Sequence, residues 1–133
     1  MMSFDAKAIF ANLAEQERVK GHHSPEGRAI RMLSRALSGW SSGNLSAGDM
    51  VVLCDQAMEE WLKTRLRLSP WSPKVLTELL ADAVTIQLVA RDDARKLEGL
   101  HRLCVSSVPA AISATDAKEA LAFCIEVVEK HWQ

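Results

Sequence analysis

Residues 46–68 decide the fold of this chain, and they read SAGDMVVLCDQAMEEWLKTRLRL. Their apolar side chains recur at steps of three and four residues, which places them on one face of an α-helix. These side chains belong to Met50, Cys54, Ala57, Met58 and Trp61. Ser46, followed three residues later by Asp49, forms the pattern of a capping box at the start of such a helix. The stretch therefore predicts the longest helix of the chain, which ends at about Leu68.

Two further helices are predicted on the N-terminal side of this stretch. Ser3 suits the N-cap of the first helix, which ends near Gly21, because glycine is common just after a helix. Ser24 and Pro25 then start the second helix, since proline is favoured at the first helical position. We expect this second helix to stop at Gly39.

Three more helices follow on the C-terminal side. Pro73 suits the first turn of the fourth helix. Asp92 is expected to cap the fifth helix and Pro109 to close it, because proline interrupts helical hydrogen bonding. The last helix is predicted to begin at Ser113 or Thr115, whose side chains both suit an N-cap.

The fold class follows from these segments, because each repeats at a helical period and none alternates as a strand does. Only 6 Gly and 4 Pro occur in 133 residues, and tyrosine, which sheets favour, is absent. Short connections favour antiparallel packing of consecutive helices. The sequence therefore predicts an all-α protein, an antiparallel bundle of about five to six helices. We expect a single domain over residues 1–133, with a helical pair at 1–45 and a core at 46–133.

The charge balance argues against a dedicated DNA-binding domain, since 16 Lys and Arg residues face 17 Asp and Glu residues, for a net charge of −1. A local basic face remains compatible with this balance. No apolar run reaches the ~20 residues that a membrane span needs, and Asp5 and Lys7 interrupt any signal-peptide core. We therefore expect a cytoplasmic protein without a membrane partner. The sequence contains no phosphate-binding loop, dinucleotide fingerprint or nucleophile elbow, so it predicts no cofactor and no catalytic residue.

The cysteines and histidines do not predict a metal site. Cys54, Cys104 and Cys124 form no CxxC pair, so neither a zinc knuckle nor a redox motif is present. All three fall on apolar helical faces and are predicted to be buried, unpaired thiols. His22 and His23 are adjacent on a loop without an acidic or cysteine partner at ligand spacing. We interpret them as a solvated pair.

Arg28, Arg31 and Arg35 recur at three- and four-residue steps and therefore share one face of the second helix. The face is either a short basic stripe for phosphates or the solvated side of an amphipathic helix, and both interpretations stay open. No aromatic residue interleaves the arginines to stack on bases, which favours the solvated side.

Four tryptophans stand out in a chain that has 3 Phe and no Tyr. Trp61 lies on the apolar face of residues 46–68, whereas Trp40 and Trp71 lie at helix ends and Trp132 lies near the C-terminus. Exposed tryptophans are enriched at interfaces. Tryptophans at helix ends also cover the ends of a bundle core, and both interpretations stay open.

Residues 50–63, MVVLCDQAMEEWLK, and the segment from Leu76 through Leu97 to Cys104 resemble the HEPN superfamily of helical domains. The resemblance covers about residues 46–131. It implies a helical bundle that pairs through the helix carrying the family's signature. In catalytic members, an arginine on this helix is followed, after four to six intervening residues, by a histidine, and the two support metal-independent RNA cleavage.

Arg102 matches the arginine of this signature, and Leu103 stands where asparagine is common. The histidine positions hold Ser107, Val108 and Pro109 instead, and none of these side chains replaces an imidazole as acid or base. The resemblance thus implies a degenerate member that lacks the motif histidine.

Three functional hypotheses follow. The first is a non-catalytic HEPN-like module that forms a homodimer and binds a partner protein or a nucleic acid through Arg102, Arg28, Arg31 and Arg35. The second is a metal-independent RNA endonuclease in which a displaced histidine works with Arg102. The third is a plain helical interaction subunit. Helical geometry places Arg102 about 140° around the fifth helix from Leu97, so we expect it at the surface or in a dimer cleft.

Overall fold

The structure is a computed structural model that describes residues 6–21, 24–69, 71–106 and 112–130. Within those ranges it contains six α-helices and no strand, which confirms the all-α bundle. The helices are α1 (Ala6–Lys20), α2 (Pro25–Ser42), α3 (Ala47–Arg65), α4 (Leu76–Thr85), α5 (Arg91–Ser106) and α6 (Ala114–Lys130). Outside the described residues lie Ser3, His22, His23, Ser107, Val108, Pro109, His131 and Trp132, and the predictions that concern them stay predictions.

α3 is the central helix, since it packs against α2, α4, α5 and α6. Residues on most of its circumference are buried, and Trp61 is the largest side chain that is completely enclosed. Truncating a core side chain of this size costs about 3–5 kcal/mol. All six helices contribute buried side chains to one hydrophobic cluster. The apolar face of residues 46–68 is therefore the centre of the core.

Ser24 joins α1 to α2. Its hydroxyl accepts a hydrogen bond from Gly27 N at 2.9 Å, which caps α2 as predicted, and it donates one to Gly21 O at 2.9 Å. A Cβ at Gly27 would lie 2.1 Å from Gly21 O, so the first turn of α2 meets the end of α1 backbone to backbone. This close approach explains why position 27 is glycine.

α2 continues beyond Gly39, where we expected it to stop, and ends at Ser42. Gly43 follows with a left-handed φ of 74°, and its N–H bonds to Gly39 O and Trp40 O. The prediction was wrong because Gly39 serves packing: a Cβ there would lie 2.3 Å from Leu45. The glycine lets the chain fold back over the end of α2 before α3 begins.

Ser46 caps α3 as predicted, since its Oγ accepts a hydrogen bond from Asp49 N at 3.1 Å. The helix ends at Arg65 rather than at about Leu68. Arg67 adopts a left-handed φ of 59°, and a right-handed helix does not continue through such a residue.

α4 begins at Leu76 and not at Pro73, where we expected its first turn. Val75 N donates to the Glu78 carboxylate at 3.4 Å, so an acidic side chain rather than a proline ring starts the helix. Leu76 is also buried in the core, which favours this start.

α5 begins at Arg91, so Asp92, expected as its N-cap, lies in the first turn instead. There its carboxylate still interacts favourably with the positive end of the helix dipole. α6 begins after Ser113, whose Oγ accepts a hydrogen bond from Asp116 N at 3.1 Å, which confirms the first of the two predicted starts.

Gly27→Ala is expected to destabilise the fold by about 1–3 kcal/mol, because the added methyl group would overlap Gly21 O. Urea denaturation followed by circular dichroism measures this loss. Gly99→Ala is the matched control, since Gly99 also lies within a helix but a Cβ there would meet nothing within 4 Å. This control should stabilise the protein by up to about 1 kcal/mol. Equal effects of the two substitutions would contradict the packing argument.

Candidate functional site

α5 carries the two residues around which the candidate site is built, His101 and Arg102. Consecutive residues of a helix point about 100° apart. His101 is half-buried against α3, whereas Arg102 faces away from the bundle with 73% of its side chain exposed. One side of α5 therefore makes an interior polar contact, and another side presents a charged surface.

The interior contact joins His101 to Asp55 of α3. His101 Nδ1 lies 3.1 Å from Oδ1 and 3.2 Å from Oδ2 of the carboxylate. Asp55 is only 8% exposed, and aspartates are rarely buried to this extent without a partner. An ionised carboxylate only accepts hydrogen bonds, so Nδ1 is the donor of this contact. The pair fastens α5 to α3.

Burial raises the pKa of the Asp55 carboxyl, because the charged form loses its hydration. The hydrogen bond and the charge of His101 act in the opposite direction on this pKa and offset part of the rise, whereas the nearby charge of Glu59 adds to it. Asp55 therefore keeps its proton at a higher pH than an ordinary aspartate does.

Cys104 lies one turn after His101, near the same carboxylate. Burial and then the negative charge of Asp55 raise the pKa of this thiol. The thiolate is the reactive form of cysteine, so a thiol with a raised pKa is a poor nucleophile. Asp55, His101 and Cys104 are the residue types of a cysteine-nucleophile triad, but the electrostatics here deactivate the sulfur.

The three cysteines are free, and Cys54 and Cys124 are buried, as predicted. The prediction was wrong for Cys104, which is partly exposed because α5 is peripheral and packs only lightly against α6. The neighbouring Cys54 thiol and then burial raise the pKa of Cys124 well above its ordinary value. In the described part of the chain, no group of three or more His, Cys, Asp or Glu side chains could hold a metal ion.

Arg102 lies on the outer side of α5, in agreement with its helical position. Its guanidinium pairs with Glu98, one turn earlier, at 2.9 Å. Val105, one turn later, is 65% exposed. We call Glu98, Arg102 and Val105 the α5 surface. It combines an acid, a base and an exposed apolar side chain.

The other arginines singled out in the sequence share one side of α2, but the structure does not bring them to Arg102. α2 packs against α1, α3 and α6, whereas α5 packs against α3, α4 and α6. The arginines of α2 and two exposed serines further along the helix form what we call the α2 surface. Its members are Arg28, Arg31, Arg35, Ser38 and Ser42. The candidate contacts therefore belong to two separate surfaces.

The sequence left open whether the tryptophans at helix ends cover the bundle core or lie at an interface. The described tryptophans include both kinds. Trp61 is completely buried, with the Arg65 guanidinium 5.6 Å from the centre of its ring. Trp40 is half-buried and packs on the core, as expected of a residue that covers the end of a bundle. Trp71, in the connection between α3 and α4, is 89% exposed and fits an interface residue.

Sequence reasoning missed the pair formed by Asp55 and His101. One signal was present, because Asp55 directly follows the core residue Cys54 in a helix predicted to be central, and a buried carboxylate needs a partner. The identity of that partner was not readable, since His101 is 46 residues away along the chain.

No family model, no curated protein and no solved structure matches this chain. The HEPN resemblance therefore stays a hypothesis. Among the described residues, none of the helices has both the length and the apolar character that a membrane span requires.

Asp55→Asn is expected to change how stability depends on pH. Because the folded-state pKa of Asp55 is raised, its contribution to stability is fully present below the ordinary aspartate pKa of about 3.9 and is lost as the pH rises through the raised value. Asparagine retains an acceptor for His101 but does not titrate. The unfolding free energy of the variant minus that of the wild type should therefore grow as the pH rises from below about 3.9 through the raised pKa.

Urea denaturation at several pH values measures this difference. Glu119→Gln, at an exposed position of α6, is the matched control for loss of a carboxylate. A difference for Asp55→Asn that stays constant or shrinks over this range would contradict the raised pKa.

Proposed function

We propose that this chain is a non-catalytic, HEPN-like helical module that forms a homodimer through the α5 surface and binds a further partner, a protein or a nucleic acid. The observation that carries this proposal is the outer side of α5. There Glu98 and Arg102 lie one turn apart beside the exposed Val105, and Arg102 is 73% exposed whereas Glu98 is partly exposed.

The α5 surface is complementary to itself, which is what a two-fold dimer requires. In such a dimer the same patch faces itself, so a contact between two different residues occurs twice. When two copies of α5 pack antiparallel, Glu98 of each copy can meet Arg102 of the other. Two Glu98–Arg102 ion pairs within the subunits are then replaced by two such ion pairs between the subunits. This exchange changes the free energy little. Covering Val105 on both copies supplies apolar burial that favours association.

The non-catalytic part of the proposal rests on the surroundings of Arg102. Cleavage of a phosphodiester needs a group that exchanges a proton near neutral pH within hydrogen-bond reach of the reacting oxygen. His101, the neighbour of Arg102 in the chain, is turned toward α3 and engaged by Asp55. Arg102 stays protonated, so it stabilises negative charge but cannot act as a base. The Glu98 carboxylate beside it repels a phosphate.

The wild type is expected to sediment as a dimer at about 50 μM, with a dissociation constant in the micromolar range. Glu98→Arg should give a monomer, because only like charges would then face each other, and Arg102→Glu should do the same. An equimolar mixture of these two variants should restore the dimer, since one α5 surface is then entirely positive and the other entirely negative.

Glu119→Arg makes the same charge change at an exposed position of α6 and is the matched control. A wild type that stays monomeric at this concentration would contradict the dimer and favour the plain interaction subunit. Disruption by the α6 control to the same extent would contradict the assignment of the interface to α5.

Purified protein is expected to leave mixed single-stranded RNAs intact in EDTA, with a background equal to that of Arg102→Ala. Loss of an acid or base group removes roughly 10²- to 10⁴-fold of rate. Gel electrophoresis of end-labelled RNA over several hours measures cleavage. Activity of the wild type that disappears in Arg102→Ala would instead support the endonuclease hypothesis, with His22, His23 and His131 as the candidate histidines.

A further inference from the structure

The α2 surface differs from the α5 surface because its own helix places no acid on it. α2 contains one acidic residue, Glu26, in its first turn. The Glu26 carboxylate is largely buried, and it pairs with Lys20 of α1 at 3.7 Å and with Arg65 of α3 at 3.1 Å. The acidic side chain of α2 thus forms ion pairs with neighbouring helices, whereas the arginines of α2 lie on its outer side.

Two of the three arginines on this surface are without an ion-pair partner among the described residues. Arg28 and Arg35 are both exposed. Arg31, between them, lies 3.2 Å from a Glu17 carboxylate oxygen of α1. Arg102, in contrast, is neutralised by an acid one turn away on its own helix. Two arginines of the α2 surface thus keep a charge that no ion pair among the described residues compensates, whereas the arginine of the α5 surface does not.

The surface has the shape of a straight row of hydrogen-bond donors. At about 100° per residue, its five side chains fall within about 80° of one another around the helix. At 1.5 Å per residue, the distance along the axis from Arg28 to Ser42 is about 21 Å. Guanidinium and hydroxyl groups both donate to phosphate oxygens, and Ser42 would exchange its 3.4 Å hydrogen bond to Gly39 O for such a contact. A row of this length is long enough to contact several successive phosphates.

We propose that the α2 surface docks on the phosphate backbone of duplex nucleic acid without reading its bases. The basic row, to which α2 itself contributes no acid, complements a line of phosphates, and contacts of this kind position a protein but carry no sequence information. Single-strand binders add aromatic side chains on which bases stack. Trp40 is the aromatic residue of α2, and it packs on the core instead. This activity does not depend on the α5 dimer.

Fluorescence anisotropy of a labelled duplex of about 20 base pairs, titrated with the full chain at low salt, tests the proposal. The expected dissociation constant is on the order of 10⁻⁵ M, and the logarithm of affinity should fall with that of salt concentration with a slope of about −2 to −3, because each phosphate contact contributes about −0.9. Arg28→Gln combined with Arg35→Gln should weaken binding at least about tenfold and flatten the slope by about 1.8.

Arg67→Gln combined with Lys118→Gln is the matched control, since it removes the same charge from two exposed positions that lie on neither α2 nor α5. It should bind the duplex nearly as the wild type does, and circular dichroism confirms that both double variants fold. Absence of duplex binding, equal weakening by the two double variants, or equal affinity for the single strand or for polyglutamate would each overturn the proposal. The α5 charge swaps test the dimer separately, so the two failures are distinguishable.

Discussion

Enclosure of α3 is the constraint on which the rest of the structure depends. A helix that is apolar on most of its sides is stable only when neighbouring helices cover those sides. α2, α4, α5 and α6 provide this cover, and α1 is added by packing on α2. Because α3 is covered on most of its sides, we expect contacts with other molecules to lie mainly on the peripheral helices. The polar groups that matter for function therefore lie on α2 and α5.

Asp55 is one of the few buried polar residues of this enclosure, and it connects the interior to the surface. Its carboxylate loses hydration in the core and is met on α5 by His101, which is hydrogen-bonded to it, and by the nearby thiol of Cys104. These contacts determine which side of α5 faces inward. Since helical geometry separates consecutive residues by about 100°, turning His101 inward leaves Arg102 outside. The same arrangement removes the imidazole from the neighbourhood of the arginine, which is the physical basis for proposing binding rather than cleavage.

The two peripheral helices carry surfaces of different electrostatic character. The α5 surface contains both signs of charge and so suits a second copy of itself. The α2 surface carries positive charge without an acid of its own helix and so suits a polyanion. Because the two helices cover different sides of α3, the proposed homodimer would leave an α2 surface on each copy. The dimer would then bind one long polyanion through both of its α2 surfaces. Two weak contacts on one assembly bind a long ligand more tightly than one contact does.

The sequence by itself determined the all-α class, the six helical segments and the caps at Ser24, Ser46 and Ser113. These features depend on residues within one or two helical turns of each other, which is the range over which sequence patterns are readable. The errors at Gly39 and Pro73 arose where packing of the following chain, or the side chain of another residue, set the helix boundary. Only the tertiary structure decided that Asp55 meets a histidine from another helix, that Cys104 lies at an edge, and that the arginines form two surfaces. Each of these depends on how helices pack against one another, and residues that are distant along the chain share no local pattern that would reveal such a contact.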